Sequence, residues 1–258
     1  MALIALTRLT VADTVRQPVT WLMTAVSLVL LGLTYLFGEF NFEAQDRMRM
    51  IATAGVAVGV INGLFLAVVG ASQSVHDELA SRTALTLFAK PLSRGSFLSG
   101  KALGIWLTVA ASGAVVALGH LLVLWLAWRY GFVDEHNHGG NQETLVPWGT
   151  VLAAHALALA HNAVLTCIAA VLALRLPLTA NILVCFAVFV GSHLLAGMGL
   201  MGVVVVPALA LYNLDDSIQL ADHPLTLSYA LTALLYTILL CAGWLLAGLA
   251  LFKRQDIA

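Results

Sequence analysis

The sequence predicts an all-α integral membrane protein with six transmembrane helices and with both termini in the cytoplasm. Of its 258 residues, 61% are hydrophobic and only 10% are charged, whereas a soluble domain carries roughly 25% charged residues. The apolar residues form uncharged runs that can cross a bilayer core about 30 Å thick, and the basic residues cluster between alternate runs. This composition excludes a soluble enzyme, a nucleic-acid-binding module and a disordered chain.

Each predicted span is an uncharged run bounded by charged or turn-forming residues. The first run ends before Glu39, the third lies between Lys101 and Arg129, and the last begins after Pro224, a residue that the first turn of a helix tolerates. The predicted spans cover residues 19–38, 51–71, 102–128, 151–174, 178–196 and 225–252. Together they form a single transmembrane domain over residues 1–258.

The uncharged stretch from Leu178 to Leu214 has two possible interpretations. It is 37 residues long, and one straight helix of that length would measure about 55 Å, more than a membrane requires. Several glycines and Pro207 interrupt it. The stretch therefore forms either one span followed by a re-entrant or interfacial segment to about Tyr212, or two full spans that would place the C-terminus on the opposite side.

The basic residues favour six spans. With a cytoplasmic N-terminus and six spans, nine Lys and Arg residues fall in cytoplasmic segments and three fall outside. Such an excess in short loops is typical of the cytoplasmic side of a membrane protein. A seventh span would move Lys253 and Arg254 to the outside, against this rule.

The N-terminal residues 1–18 are predicted to form an interfacial helix. Polar side chains recur at helical spacing at Thr7, Thr10, Thr14 and Gln17, and apolar residues such as Ile4 and Val11 lie roughly opposite. This pattern is typical of a helix that lies along the membrane surface.

A short cytoplasmic helix is predicted over residues 77–90, between the second and third spans. Asp77 and Glu78 would lie in its first turn, where the helix dipole favours acidic side chains. Four apolar residues share one helical face, namely Ala80, Ala84, Leu87 and Phe88. Pro91 disfavours helical backbone at the residue before it, and Ser93 can cap the next helix. The helix is either an interfacial anchor or a lever that docks in a groove of a soluble partner.

Three stretches of the chain share a pattern with a known family. They are Glu78 with Arg82-Thr83-Ala84, Lys90-Pro91-Leu92-Ser93-Arg94, Gly100-Lys101 and Gly104; Val206-Pro207 with Leu211-Tyr212-Asn213-Leu214; and Phe252-Lys253-Arg254-Gln255-Asp256. The pattern resembles the signature of type-2 ATP-binding-cassette (ABC) exporter permeases, most closely the branch named for multi-copper-enzyme maturation and gliding motility. In that family the first stretch forms the coupling helix and its exit. Ala80 and Ser81 depart from the family, which commonly has charged residues there.

The resemblance implies the permease subunit of an ABC exporter. Such a subunit forms the translocation pathway as a dimer with a second permease protomer, here expected to be identical, and is driven by two copies of a cytoplasmic ABC ATPase that binds ATP and magnesium. This chain would bind no cofactor or metal and would be a multi-pass protein of a prokaryotic plasma membrane. The residues implied to couple it to the ATPase are Asp77, Glu78, Arg82, Thr83, Leu87, Phe88, Lys90, Pro91 and Arg94.

Small and polar residues within the spans are further candidates. Gly55, Gly59 and Gly63 are each four residues apart, so they share one helical face and allow another helix to approach closely. The stripe therefore either packs against a second protomer or lines the translocation pathway, or it packs against a helix of the same chain. Asn62 beside the stripe is expected to face protein or water. Three polar residues of later spans are candidates for lining the translocation pathway, namely His161, Asn162 and His193.

Two other classes of function remain open. The span histidines, which include His120 and His155 near the predicted outer ends of their spans, could hold haem or a metal in a membrane redox subunit; alternatively, the chain could be a non-transporting assembly scaffold. The sequence contains no phosphate loop of the pattern G-x-x-x-x-G-K-S/T, so it is not expected to hydrolyse ATP or to be an enzyme. No predicted span contains an acidic or basic residue in its interior, which disfavours a proton-coupled transporter.

Overall fold

The computed structural model describes residues 2–39, 43–80, 93–132, 143–200, 206–219 and 225–253. The regular structure of these residues is entirely helical. The helices are α1 (Ala2–Arg16), α2 (Pro18–Gly38), α3 (Ala44–Ala80), α4 (Arg94–Tyr130), α5 (Trp148–Leu172), α6 (Leu178–Gly197), a 3-10 helix (Leu209–Tyr212), α7 (Asp215–Gln219) and α8 (Leu227–Lys253).

Among the described residues, six helices are long and apolar enough to cross a membrane, namely α2, α3, α4, α5, α6 and α8. This confirms the predicted number of spans and a multi-pass membrane protein. Between α6 and α8, the described residues add only the 3-10 helix and the five-residue α7. Within the described part of residues 178–214, α6 is the single helix long enough to cross a membrane, as the interpretation with one span followed by a shorter segment predicts; a re-entrant or interfacial position of that segment stays a prediction.

The bundle is built around α3 and α5. Over their most apolar windows, 61% of α3 and 67% of α5 is buried, against 17% of α6 and 11% of α8. Helix α3 packs against α2, α4, α5 and α6, and α8 packs mainly against α5. The polar residues on α3 and α5 therefore face protein, whereas α6 and α8 present most of their apolar surface outward, as helices in lipid do.

Helices α3 and α4 are longer than the predicted spans. Each has 37 residues and is about 55 Å long at 1.5 Å per residue, well beyond the 30 Å of a bilayer core. Asp77 and Glu78 lie in the last turn of α3, so the expectation that they occupy the first turn of a separate helix is wrong. The reason is that no proline or glycine follows Gly70 before Ala80, and the helix simply continues.

Only the two borders of the predicted coupling segment lie within the described structure. Ser93 caps α4 as predicted, because its Oγ accepts a hydrogen bond from the Ser96 amide at 3.0 Å. The other predicted coupling residues of this segment lie outside the described residues, namely Arg82, Thr83, Leu87, Phe88, Lys90 and Pro91.

Long-range hydrogen bonds join the helices at each end of the bundle. At one end, Arg94 and Arg175 donate to the last carbonyl groups of α8 at 2.7 and 3.1 Å. At the other end, the Tyr35 hydroxyl on α2 donates to the Gly131 carbonyl at 2.6 Å. We call the first of these the basic end, which holds Arg94, Lys101 and Arg175, whereas the opposite end holds Arg47, Arg49 and Arg129.

Helix α1 packs on α4 with its polar side inward. Thr7, Thr10 and Thr14 are buried, and Leu3 and Ile4 are exposed. The sequence predicted the helix, but an interfacial helix would turn its threonines to water. The threonines can be buried because the hydroxyls of Thr7 and Thr14 donate to carbonyl groups four residues earlier in the helix. Close packing is possible because the facing α4 residues are Gly100 and Gly104.

Candidate functional site

A buried ion pair joins α3 to α4 at the basic end. The Lys101 ammonium lies 2.5 Å from Glu78 Oε1 and donates to Ser74 Oγ at 3.0 Å. Only 1% of Lys101 is exposed. From the sequence, Lys101 was expected to mark the edge of a span; instead its charge is enclosed within the bundle because an acidic partner neutralises it. This contact fixes the two helices to each other just before and just after the segment 81–92.

Arg94, another predicted coupling residue, connects α4 to the end of α8. Its Nη1 donates to the Phe252 carbonyl, and its guanidinium carbon lies 5.5 Å from the centre of the Phe252 ring. The Phe97 ring lies 6.0 Å from the same ring. The positive charge also faces the negative end of the α8 dipole. Helices α3, α4 and α8 are thus coupled at the basic end.

The stripe of Gly55, Gly59 and Gly63 is occupied by side chains of the same chain. A Cβ atom built at Gly55 would lie 2.1 Å from the His120 ring, and one at Gly63 would lie 1.8 Å from Asn162 Nδ2. A Cβ atom built at Gly59 would lie 3.1 Å from the His155 ring. Of the two interpretations left open by the sequence, these contacts correspond to packing within one chain. A role of the stripe in a dimer stays a prediction.

His120 and His155 form a buried pair, as their positions on the predicted spans allowed. His120 Nδ1 and His155 Nε2 are 2.8 Å apart, and His120 Nε2 is 3.2 Å from the Ile51 carbonyl oxygen. Both nitrogens of His120 are therefore used in hydrogen bonds within the protein. The pair ties α4 to α5 and to α3, in the way that polar side chains link helices within a membrane.

Asn62 also faces protein, as predicted. Its Nδ2 donates to Ser112 Oγ at 2.9 Å, and Ser112 Oγ is 2.7 Å from Thr24 Oγ1. All three residues are buried and belong to three helices. This network lies beside the glycine stripe and joins α3 to α2 and α4.

Two cavities flank the contact between α3 and α5. The first cavity has a volume of about 360 Å³, is almost entirely apolar, and includes Gly59, Gly63, His155 and Asn162 in its lining. The second cavity has a volume of about 220 Å³ and includes His161 and His193. The three predicted pathway residues are thus divided between two cavities, with Asn162 in the first and both histidines in the second.

The second cavity contains a cluster of aromatic and imidazole rings. The His161 ring centre lies 5.6 Å from that of Phe189, 6.3 Å from that of His193 and 5.8 Å from that of Tyr212. His161 Nδ1 lies 3.1 Å from Asn162 Oδ1. No described residue forms a hydrogen bond with His161 Nε2. Asn213 and Asp215 complete the polar part of the lining.

The segment that closes the second cavity is held by hydrogen bonds to α6 and α8. Ser192 Oγ donates to the Pro207 carbonyl and accepts from the Leu209 amide, each at 2.7 Å. The Tyr212 hydroxyl bonds with Thr237 Oγ1, also at 2.7 Å, and burial raises the pKa of Tyr212 to about 12. The phenol is therefore neutral at ordinary pH and keeps its proton for hydrogen bonding.

Sequence analysis did not identify Ser192, Tyr212 or Asp215 as site residues. Tyr212 marked the end of a segment and belonged to one stretch of the family pattern, and Asp215 only follows an uncharged stretch. One signal could have drawn attention to the segment, because Tyr212, Asn213 and Asp215 are polar residues next to a stretch predicted to be re-entrant, and irregular backbone at membrane depth commonly lines a cavity. Their convergence with His161 depends on tertiary packing, which spacing along the chain does not reveal.

The chain matches no protein-family model, and no curated protein is significantly similar to it.

Proposed function

We propose that the chain is the permease subunit of an ABC exporter and that a separate cytoplasmic ATPase drives it through the segment 81–92. The proposal places the basic end in the cytoplasm of a prokaryotic cell, in accordance with the positive-inside rule. The permease would work as a dimer, with ATP and magnesium bound by the two ATPase subunits. The resemblance of residues 78–104 to the family's coupling helix and its exit supports this proposal.

One structural observation carries the mechanical part of the proposal. The segment 81–92 connects the two longest helices, and Lys101 joins them through Glu78 and Ser74 where they meet that segment. Because Lys101 is buried, separating the pair would leave its ammonium without the neighbouring carboxylate in a medium of low dielectric, which is unfavourable. A push on the segment would therefore displace α3 and α4 together rather than bend one of them.

The displacement of α3 would reach both cavities. Helix α3 contributes Gly59 and Gly63 to the first cavity and Val56 and Val60 to the second. A rigid shift of α3 against α5 would change the volume of both at once, since packed helices slide as units. In this proposal, nucleotide binding in the ATPase thus alternates the access to the interior of the bundle.

The experiment is to purify the chain from membranes in mild detergent and identify any protein of the ABC ATPase class that remains bound, with its ATP hydrolysis measured. Arg82→Ala and Leu87→Glu alter the predicted coupling face without removing the Glu78–Lys101 pair. Arg129→Ala, at the opposite end, is the matched control. We expect wild type and control to retain the ATPase equally, and the two coupling variants to retain at least about tenfold less, a change of about 1.4 kcal/mol in binding.

Two results would contradict the proposal. One is a wild-type preparation without any ATPase and without ATP hydrolysis. The other is equal retention of the ATPase by wild type and by both coupling variants, which would show that the segment 81–92 is not where the motor binds.

A further inference from the structure

We propose that the second cavity is a binding site for a small organic ammonium ion, a protonated primary amine with an apolar or aromatic body. The inference concerns binding to this chain alone and does not depend on the permease function. It rests on an unpartnered imidazole nitrogen, on an acidic side chain in the lining, and on the aromatic rings around them.

The first observation is the orientation of His161. His161 is 2% exposed, and its Nδ1 lies 3.1 Å from the carbonyl oxygen of the Asn162 side chain. A carbonyl oxygen only accepts hydrogen bonds, so Nδ1 carries the proton and Nε2 presents a lone pair. Nε2 lies at the opposite edge of the ring from Nδ1, in a side chain that lines the second cavity. A buried acceptor that no described residue satisfies favours a ligand that donates a hydrogen bond.

Two other residues of the lining, His193 and Asp215, also offer hydrogen-bond acceptors. His193 Nδ1 is 2.9 Å from the Phe189 carbonyl oxygen, which fixes the proton on Nδ1 and leaves Nε2 as an acceptor. Asp215 is a carboxylate whose Oδ2 accepts from the Asn213 side chain at 2.9 Å. Two imidazole lone pairs and a carboxylate match the three N–H donors and the positive charge of a primary ammonium.

The charge of the lining and the volume of the cavity restrict the class of ligand further. No Lys or Arg is among the described residues that line the cavity, so an anionic ligand would meet only Asp215 and aromatic rings. The rings of Phe189 and Tyr212 attract a cation through their faces. The remaining lining is aliphatic, from α3 and from Leu209, and the volume of about 220 Å³ accommodates a body the size of a phenyl ring. Among the described residues, no group of three or more His, Cys, Asp or Glu is placed so that it could hold a metal ion.

The experiment is isothermal titration of the purified full chain in non-ionic detergent with three probes of similar shape. Phenethylamine is the cation, phenethyl alcohol is its neutral counterpart and phenylacetate is the anion. The neutral probe and the anion report partition into micelles and apolar contact alone. We expect saturable binding of phenethylamine and affinities at least about tenfold weaker for the other two, because only the cation pairs with a partly buried carboxylate.

Three variants assign the binding to the cavity. His161→Phe keeps a ring in the aromatic cluster and removes the acceptor, and Asp215→Asn removes the charge. Asp216→Asn removes the same charge one residue further on, where the side chain is exposed and outside the lining. We expect His161→Phe and Asp215→Asn to weaken phenethylamine binding at least about tenfold and Asp216→Asn to leave it unchanged, with thermal melting confirming that each variant is folded.

Two outcomes would overturn the inference. Equal affinity for phenethylamine and phenethyl alcohol would show that the chain does not select the ammonium. Equal weakening in Asp215→Asn and Asp216→Asn would show a general effect of surface charge. Neither outcome bears on the ATPase experiment, so failure here is distinguishable from failure of the proposed function.

Discussion

At Gly55, the α3 backbone lies so close to His120 that a Cβ atom would come within 2.1 Å of the ring. We expect Gly55→Ala to destabilise the protein by about 1–3 kcal/mol, because the ring must move and give up its contact with His155. The matched control is Gly191→Ala on α6, where a Cβ atom would meet nothing within 4 Å; there alanine should be neutral or stabilising by about 0.5–1 kcal/mol. Thermal melting in detergent measures both. A Gly55→Ala variant as stable as its control would contradict the close approach.

The buried pair of Lys101 and Glu78 gives a second prediction for single residues. We expect Lys101→Met to destabilise the protein by about 3 kcal/mol, because it removes the cation beside a largely buried carboxylate. The double variant Lys101→Met with Glu78→Gln should recover part of this loss, since no uncompensated charge remains. Melting of both variants and of Glu78→Gln completes a double-mutant cycle. Strictly additive losses would mean that the two side chains do not interact.

These residues show what a sequence can and cannot predict at this scale. The spacing of Gly55, Gly59 and Gly63 predicts a close approach, which the structure confirms. It does not predict the partner, because spacing defines a helical face but not the residues opposite it. Lys101 was assigned to a span boundary for a related reason. A hydropathy pattern treats every lysine as exposed, whereas burial here depends on an acidic residue that comes from another helix.

The position of residues 206–219, which follow α6, depends on the Ser192 hydroxyl more than on the short helices within this segment. Ser192 bonds both to the Pro207 carbonyl and to the Leu209 amide. We expect Ser192→Ala to increase amide hydrogen exchange in residues 206–219 at least about tenfold, because both backbone groups lose their partner. Thr53→Ala is the control, since Thr53 bonds only to carbonyl groups of its own helix. If exchange in 206–219 is unchanged, other contacts hold this element.

The sequence predicted the helices better than the surfaces on which they pack. Apolar length identified the spans, because helices of that length satisfy their backbone groups across a bilayer, and the distribution of basic residues favoured six over seven. The polar stripe of α1 was assigned to the wrong side for a specific reason. Amphipathic patterns in soluble proteins turn polar residues to water, whereas in α1 the hydroxyls of Thr7 and Thr14 bond to their own helix. Leu6 and Thr10 of the same helix pack against Gly100 and Gly104 of α4.

At the scale of the whole molecule, the basic residues of the helices divide between the two ends of the bundle. Arg94, Lys101 and Arg175 lie at the basic end together with α1 and the end of α8, and Arg47, Arg49 and Arg129 lie at the other. The sequence separated these two groups by counting spans, and the long-range hydrogen bonds at the two ends agree with that separation. The positive-inside rule predicts that the basic end faces the cytoplasm, and direct measurement can test this orientation.

Labelling of introduced cysteines in intact cells tests this orientation. Exposed positions at the basic end are Asp13 and Ser93, and exposed positions at the opposite end are Glu43 and Glu143. With a membrane-impermeant maleimide, we expect Glu43→Cys and Glu143→Cys to react in intact cells, and Asp13→Cys and Ser93→Cys to react only after the membrane is permeabilised. The unaltered chain serves as the control, because its three cysteines are buried or half-buried within helices. The reverse pattern would place the basic end outside the cell and remove the segment 81–92 from the reach of any cytoplasmic ATPase, whereas different labelling of two positions at one end would contradict the arrangement of the bundle itself.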